Sequence, residues 1–188
     1  TVKAVFLSKK ICWVGIIGQP FDKKEILSSL KEFSNKVNWI TGGDSRQESV
    51  RNGLNNLPDN ASKVLIHDGA RCLIEPELID KCSNELQHND AIILAMKVVD
   101  TIKIVNENNI IKETPNRDFL WAAQTPQGFL VSKLKHAHQK ALEENWTVTD
   151  DASLYERLNW PVKIIEGNSI NIKITNPVDL KIASLFLN

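Results

Sequence analysis

Residues 63–98 read KVLIHDGARCLIEPELIDKCSNELQHNDAIILAMKV, and this stretch decides the predicted fold. An apolar strand pattern at 63–68 ends in polar residues. A helix pattern follows at about 75–86 with Pro76 in its first turn, and another strand pattern covers 90–98. Strand–helix–strand order predicts parallel strands joined by a crossover helix. In such open sheets, ligands bind beyond the carboxyl ends of the strands, so we look for a site there.

The same alternation continues on both sides of this stretch. We therefore predict an α/β fold with a mainly parallel sheet and helices on both faces. A single domain is expected for residues 1–188, because the sequence shows no repeat, linker or low-complexity segment. Further strand patterns lie at 11–17, 37–40, 162–167 and 171–175. Further helix patterns lie at 22–33, 45–57 with a Ser45–Glu48 capping box, 132–144, from Asp150, and after Asn176.

Composition excludes several classes of protein. Lys plus Arg equals Asp plus Glu at 23 each, so net charge gives no reason to expect nucleic acid or an anionic membrane as a partner. The three cysteines, Cys12, Cys72 and Cys82, have no CxxC spacing, which favours reduced thiols and a cytoplasmic location. No apolar run is long enough for a membrane span, and no signal peptide opens the sequence.

A glycine pair precedes the helix predicted at 45–57, in the stretch TGGDSRQESVRNGL. Gly42 and Gly43 permit close backbone approach, and the helix N-terminus offers free N–H groups. Arg46 and Ser49 project from the first turns. Two interpretations stay open: a contact to a nucleotide base or ribose, and a glycine turn before an ordinary capped helix.

The strand at 63–68 ends in the sequence HDGARC. Asp68 lies at the carboxyl end of the strand, where a carboxylate can hold Mg²⁺ against nucleotide phosphates. Gly69 and Ala70 keep the loop slim, and Arg71 can bind substrate or orient the loop. The alternative is a solvated turn with an Asp–Arg ion pair. We favour the functional interpretation because of the position in the sheet.

A β-hairpin arm is predicted at about 100–118, since 101–105 and 109–114 are strand patterns that flank a turn. Thr101 offers a hydroxyl on one side of the arm. Arg117, on the other side, offers a planar fork suited to phosphate. Solvated surface turns remain the alternative for both residues.

Three later segments carry weaker signals. Thr125-Pro126 predicts an extended turn, and its hydroxyl can bind a ligand or satisfy a buried loop. Lys173 can stabilise phosphate charge, although spacing alone favours an exposed lysine on an edge strand. Asp150 or Asp151 is expected to cap the following helix, which leaves the other free to position a ligand.

Together these motifs resemble the 2-C-methyl-D-erythritol 4-phosphate cytidylyltransferase family. The segments GGDSRQESVRNGL, HDGAR, VDTIK, NRDFLWAAQTPQGF, TDDAS and NIKITNPVDL occur in the family's order and spacing, and the resemblance extends over essentially all 188 residues. The resemblance implies a Rossmann-like nucleotidyltransferase fold that uses CTP, a polyol phosphate and Mg²⁺ or another divalent cation. It also implies a homodimer in which the β-arm of one subunit completes the site of the other.

The resemblance assigns roles residue by residue. Gly42, Gly43 and Ser49 match positions that contact the cytidine. Lys173 matches a lysine near the transferred phosphates, and Thr125 matches a position on the substrate side.

The remaining matches concern the metal and the polyol. Asp68, Ala70 and Arg71 match the loop that touches the ribose, the metal and the methylerythritol. Thr101 and Arg117 match arm positions that grip the substrate phosphate. The resemblance thus implies Lys173, Asp68 and Arg117 as the catalytic set, with Asp68 as the metal ligand.

Two departures from the family pattern stand out. The glycine-rich loop Leu-x-x-Ala-Gly-x-Gly-x-Arg, which binds the triphosphate in the family, has no counterpart. We expect it upstream of Thr1, because residues 1–8 already resemble the second half of an amphipathic helix. The family's HDAARP also reads HDGARC here, so Gly69 and Cys72 put the rigidity of the loop in question.

Two rival functions remain open at this point. A ribitol 5-phosphate cytidylyltransferase would share the fold, CTP and many motifs. A non-catalytic relative would bind nucleotide or serve as a scaffold. The cytidylyltransferase interpretation requires Asp68, Arg71 and Lys173 to meet at one rim of the sheet, with Arg117 donated by a second copy.

Overall fold

A computed structural model describes residues 1–187 and shows a mixed four-stranded sheet at its centre. Its strand order is β3 (Lys63–Ile66), β7 (Trp121–Leu130), β4 (Ala91–Lys97), β8 (Lys163–Glu166). Strands β4 and β8 are parallel, and β7 runs antiparallel to both β3 and β4. Strands β3, β4 and β8 therefore run in the same direction, as the sequence predicts, and their carboxyl ends meet at one edge of the sheet.

Strand β7 is the element that sequence analysis did not predict. The expected turn at Thr125-Pro126 lies inside this ten-residue strand. A proline is tolerated there because the β4–β7 register shifts between Ile93 and Ala95, leaving residues 124–126 opposite Leu94 alone. Proline has no N–H group to donate to a neighbouring strand, and at a register shift of this kind the strand pairing does not require that hydrogen bond.

A second, two-stranded sheet pairs β1 (Gly15–Gly18) with β2 (Asn38–Thr41) in parallel. The strand predicted at 171–175 is wrong. This segment is irregular and makes isolated backbone bonds, such as Ile174 N–H to the Ala70 carbonyl at 2.9 Å, instead of a ladder.

The α-helices of residues 1–187 are α1 (Val2–Leu7), α2 (Lys23–Ser29), α3 (Arg46–Asn55), α4 (Pro76–Glu85), α5 (Val131–Glu143), α6 (Ala152–Arg157) and α7 (Pro177–Ser184). The predicted Ser45 cap is present, since Ser45 accepts from the Glu48 N–H at 3.0 Å, but the Glu48 carboxylate accepts from the Asp44 N–H, so the capping box is incomplete. Asn176, which the sequence did not predict as a cap, forms a capping box with Asp179. The helix predicted at 22–33 is instead divided at Lys31, whose φ of 50° lies in the left-handed region.

Two apolar clusters lie on opposite faces of the central sheet. On one face, α3, α5 and α6 pack around Phe129, Leu134 and Tyr155, all fully buried. On the other, α4 packs around Ile92 and Leu94, with α1 at its margin. The predicted α/β architecture with helices on both faces is confirmed.

The hairpin arm is also present, as β5 (Ile104–Val105) paired antiparallel with β6 (Ile111–Glu113). The Asn106 side chain closes its turn by accepting from the Asn108 and Ile110 N–H groups. None of the described helices is long and apolar enough to cross a membrane.

Candidate active site

The loop that follows β3 brings Asp68 to the carboxyl edge of the sheet. One carboxylate oxygen of Asp68 lies 2.9 Å from the Lys173 ammonium, and the Arg71 Nε lies 4.0 Å from the same oxygen. Asp68, Arg71 and Lys173 therefore do converge at one rim, as the sequence analysis required. The alternative of an edge-strand lysine is wrong in that the segment is not a strand; the Lys173 side chain is exposed, as that alternative expected, and its ammonium pairs with Asp68.

Buried polar contacts hold Lys173 in place. The nearby Asn171 is 1% exposed, and its side chain donates to the Thr125 carbonyl at 2.9 Å. The carbonyl of Asn171 accepts from Arg71 Nη1 at 2.8 Å. One buried asparagine thus connects β7, the loop arginine and the segment that carries the lysine.

The charges around Asp68 keep it ionised. Burial alone would raise the pKa of its carboxyl group. The hydrogen bond and charge of Lys173, together with the charges of Arg46 and Arg71, outweigh that effect, and the pKa lies below its ordinary value of 3.8. At neutral pH Asp68 is therefore a carboxylate surrounded by three cations.

A cavity of about 170 Å³ opens at this rim. Its lining is formed by Arg46, Asp68, Arg71, Ala123, Gln124, Thr125, Gln127, Thr149, Asp150 and Lys173. Within the described residues, the Arg71 Nε and the Gln127 Oε1 are buried without a hydrogen-bond partner. Buried polar atoms are normally satisfied, so these two indicate that the cavity accommodates a polar ligand.

Arg46 is the member of this cavity that sequence analysis noticed but did not assign. Its Nη1 donates to Asp151 at 2.8 Å, and the other oxygen of Asp151 lies 3.0 Å from the His138 Nε2. The Asp151 side chain is only 1% exposed, while that of Arg46 is 37% exposed. A buried carboxylate therefore holds a partly exposed guanidinium at the cavity. The sequence indicated only that Arg46 projects from the first turns of the helix that follows the glycine pair.

The structure also decides between Asp150 and Asp151. Asp150 accepts from the Ser153 N–H at 3.1 Å and so caps α6, as expected for one of the pair. Its other oxygen accepts from Gln127 Nε2 at 2.7 Å, inside the cavity. Asp151 positions Arg46 and makes no cap bond.

Comparison with known proteins decides the family. Residues 1–188 match the sequence model described as 2-C-methyl-D-erythritol 4-phosphate cytidylyltransferase, or IspD. The chain belongs to this family. A protein of that name from Prochlorococcus marinus subsp. pastoris is 69% identical over 187 residues, covering 100% of this chain and 84% of the relative. A relative of that name from Parasynechococcus marenigrum is 51% identical over the same number of residues.

Solved structures agree with this assignment. The crystal structure of 4-diphosphocytidyl-2C-methyl-D-erythritol synthase from Anaerococcus prevotii is 33% identical, with a TM-score of 0.92. It covers 100% of this chain and 83% of the other. A cytidylyltransferase from Thermus thermophilus is 31% identical with a TM-score of 0.74, and it covers 80% and 73% of the two chains. The chain is therefore an enzyme of the nucleotidyltransferase class with the predicted fold.

In this cytidylyltransferase, the glycine pair lies at the N-terminus of α3. The Gly43 N–H donates to the Ser49 hydroxyl at 3.0 Å. A side chain on Gly43 would collide with Glu48, since its Cβ would lie 2.1 Å from the Cγ. Gly42, Gly43 and Ser49 thus lie together but do not line the cavity. The capped helix is confirmed, and their contact with cytidine stays a prediction.

The arm residues Thr101 and Arg117 are exposed and do not line the cavity either. Arg117 Nη1 donates to the Val99 carbonyl at 2.9 Å, which fixes the guanidinium at the base of the arm. Within one chain, the structure does not bring these residues to Asp68 and Lys173.

Of the two carboxylates that line the cavity, Asp150 already accepts from Gln127 and Ser153, which leaves Asp68 as the candidate protein ligand for a cation. No group of three or more His, Cys, Asp or Glu side chains suited to a metal occurs within residues 1–187. A single carboxylate nevertheless fits Mg²⁺, which is commonly held by one or two carboxylates and by substrate phosphates.

Proposed function

We propose that this enzyme joins CTP and 2-C-methyl-D-erythritol 4-phosphate to give 4-diphosphocytidyl-2-C-methyl-D-erythritol and pyrophosphate, in non-mevalonate isoprenoid biosynthesis. The observation that carries this proposal is the rim itself. Lys173 lies 2.9 Å from Asp68, and Arg71 and Arg46 face the same cavity. Such an arrangement is suited to phosphate-bearing substrates, because fixed cations stabilise the charge that develops in phosphoryl transfer.

The reaction is a substitution at phosphorus. A phosphate oxygen of the polyol phosphate attacks the α-phosphorus of CTP in line, while the bond from that phosphorus to the bridging oxygen breaks and pyrophosphate leaves. No covalent enzyme intermediate is needed. The side chains act by holding the two substrates in line and by neutralising negative charge, with Lys173 beside the transferred phosphate.

We propose Mg²⁺ or another divalent cation as the cofactor, with Asp68 as its protein ligand. When bound, the cation would neutralise phosphate charge and orient the triphosphate. Asp68 suits this role because its lowered pKa keeps it a carboxylate at neutral pH.

Binding roles follow from the two sides of the rim. Gly42, Gly43 and Ser49 would hold the cytidine, since the two glycines let a base or ribose approach the backbone closely at the N-terminus of α3. On the polyol side, Ala70, Arg71 and Thr125 would contact the methylerythritol phosphate. The loop is slim at Ala70, and Arg71 provides the charge.

We further propose a homodimer in which the arm of one subunit brings Thr101 and Arg117 to the site of the other. Exposed apolar side chains on the arm support this proposal. Ile110 is 63% exposed and Ile111 is 58% exposed. Large exposed apolar side chains grouped on one segment are typical of a protein interface. We also propose a cytoplasmic location, which the three free thiols favour.

The direct test of the function is release of pyrophosphate by the full-length protein. We expect release that depends on CTP and on 2-C-methyl-D-erythritol 4-phosphate, and much slower release with ribitol 5-phosphate. Mass spectrometry would identify the cytidylylated product. Preferential turnover of ribitol 5-phosphate would replace the proposed substrate. A protein that releases no pyrophosphate with either polyol phosphate would be a non-catalytic relative.

Replacing Arg117 by alanine is expected to raise KM for the polyol phosphate about 10- to 100-fold, because a charge-assisted contact to phosphate is lost. The effect on kcat should be smaller. Initial rates at varied polyol phosphate and saturating CTP measure both constants. Lys112→Ala is the matched control, since Lys112 is an exposed cation on the same arm.

Mixing variants then tests whether Arg117 acts across subunits. A heterodimer of Arg117→Ala and Lys173→Ala protomers has one site with both residues intact if the arm acts in trans. At polyol phosphate concentrations well below the KM of Arg117→Ala, the mixture after subunit exchange should therefore regain activity that neither variant shows alone. No recovery in a mixture shown to contain heterodimers, or a monomeric wild-type protein by sedimentation, would contradict the arm proposal.

A further inference from the structure

We propose that His67 is a positioning residue for catalysis, because its single imidazole ring holds both ends of the 68–71 loop. The Nδ1 lies 3.0 Å from the Thr125 hydroxyl, and the Nε2 lies 3.1 Å from the Arg71 carbonyl. The same Thr125 hydroxyl accepts from the Asp68 N–H at 3.0 Å. This inference rests on the proposed function, which gives Asp68 and Arg71 their roles.

The chemistry of these groups fixes the tautomer of the ring. A carbonyl oxygen only accepts, so the Nε2 must donate to Arg71. A neutral imidazole then has an acceptor at Nδ1. The hydroxyl of Thr125 gives its proton to Nδ1 and uses a lone pair for the Asp68 N–H. Each donor in this chain meets an acceptor.

Hydrogen bonds rather than side-chain packing hold this loop, among them those from Thr1 to the Gly69 carbonyl and from the Ile174 N–H to the Ala70 carbonyl. A Cβ placed on Gly69 would meet no heavy atom within 4 Å, so side-chain packing cannot fix this position. A backbone hydrogen bond from the Arg71 N–H to the Asp68 carbonyl, at 2.9 Å, closes the turn internally. The imidazole ties that turn to β7 through Thr125, and so sets where the Asp68 carboxylate and the Arg71 guanidinium point.

Two substitutions separate the two ends of this anchor. In His67→Asn, an amide oxygen near the position of Nδ1 can still accept from Thr125, but the donor to Arg71 is lost. In His67→Gln, an amide nitrogen near the position of Nε2 can still donate to Arg71, but the acceptor for Thr125 is lost. The first variant therefore keeps the Asp68 end, and the second keeps the Arg71 end.

We expect His67→Asn to raise KM for the polyol phosphate about tenfold with kcat within about twofold, on the scale of one lost buried hydrogen bond. His67→Gln should lower kcat about tenfold with little change in KM. His88→Asn, at an exposed histidine, is the control for both. Thermal melting of each variant tests whether the protein is folded, and ¹⁵N NMR should show the Nε2–H tautomer of His67 in the wild type.

The outcomes separate the two levels of inference. The positioning role would be overturned if both folded variants changed kcat and KM in the same way, if both had wild-type kinetics, or if NMR showed an Nδ1–H tautomer. Each of these outcomes would leave the proposed function intact. A wild-type enzyme that releases no pyrophosphate would end the proposed function itself.

Discussion

Replacing Lys173 by alanine is expected to lower kcat about 10²- to 10³-fold, the scale for removing one preorganised charge or donor from a transition-state site. Lys173 is 2.9 Å from Asp68, and buried contacts of Asn171 fix the segment that carries it. The Lys173 ammonium is already in place before substrate binds. We therefore expect that no other side chain can take over its role when it is removed. Single-turnover measurements at saturating CTP and polyol phosphate would report the chemical step.

Two further variants make this test specific. Lys181→Ala removes an exposed lysine from α7 and should leave kcat unchanged. Asp68→Asn, alone and combined with Lys173→Ala, completes a double-mutant cycle. Since the two side chains touch, we expect their effects on kcat to be strongly non-additive. Full wild-type kcat in both single variants would contradict the assignment of this rim as the catalytic centre.

Replacing Arg46 by alanine is expected to lower the free energy of unfolding by about 2–3 kcal/mol. The loss leaves Asp151, which is 1% exposed, as a buried carboxylate supported by His138. Removing one partner of a fully buried pair costs about 3–5 kcal/mol. We place the effect below that range because the Arg46 side chain is 37% exposed. Urea unfolding followed by circular dichroism measures the change.

Arg51→Ala is the matched control for this prediction. Arg51 lies on the same helix, and it contacts Glu48 at 3.5 Å near the surface. Surface ion pairs contribute at most about 1 kcal/mol, so this variant should remain close to wild type. Equal stability of the Arg46 and Arg51 variants would show that Asp151 needs no cation beside it.

Local patterns predicted a large part of the fold correctly. The Ser45 cap, the hairpin arm and the position of Asp68 at the end of a strand were all evident from the sequence. Capping and turn chemistry act over a few residues, so the residues themselves carry that information. Besides the helix at 22–33, which divides at Lys31, the failures were β7 and the segment at 171–175. In β7, a proline and polar side chains obscured the strand pattern. At 171–175, alternating isoleucines gave a strand pattern although no strand forms.

The candidate site was only partly accessible to the same reasoning. The sequence by itself determined which residue types were available for phosphate and metal binding, and at which strand end Asp68 would lie. Only the tertiary structure decided that Lys173 reaches Asp68, and that Arg46 pairs with Asp151, 105 residues further along the chain. Such contacts depend on how distant elements pack across the sheet. Burial and charge pairing provide the free energy that favours these contacts, and a pattern of neighbouring residues does not contain that information.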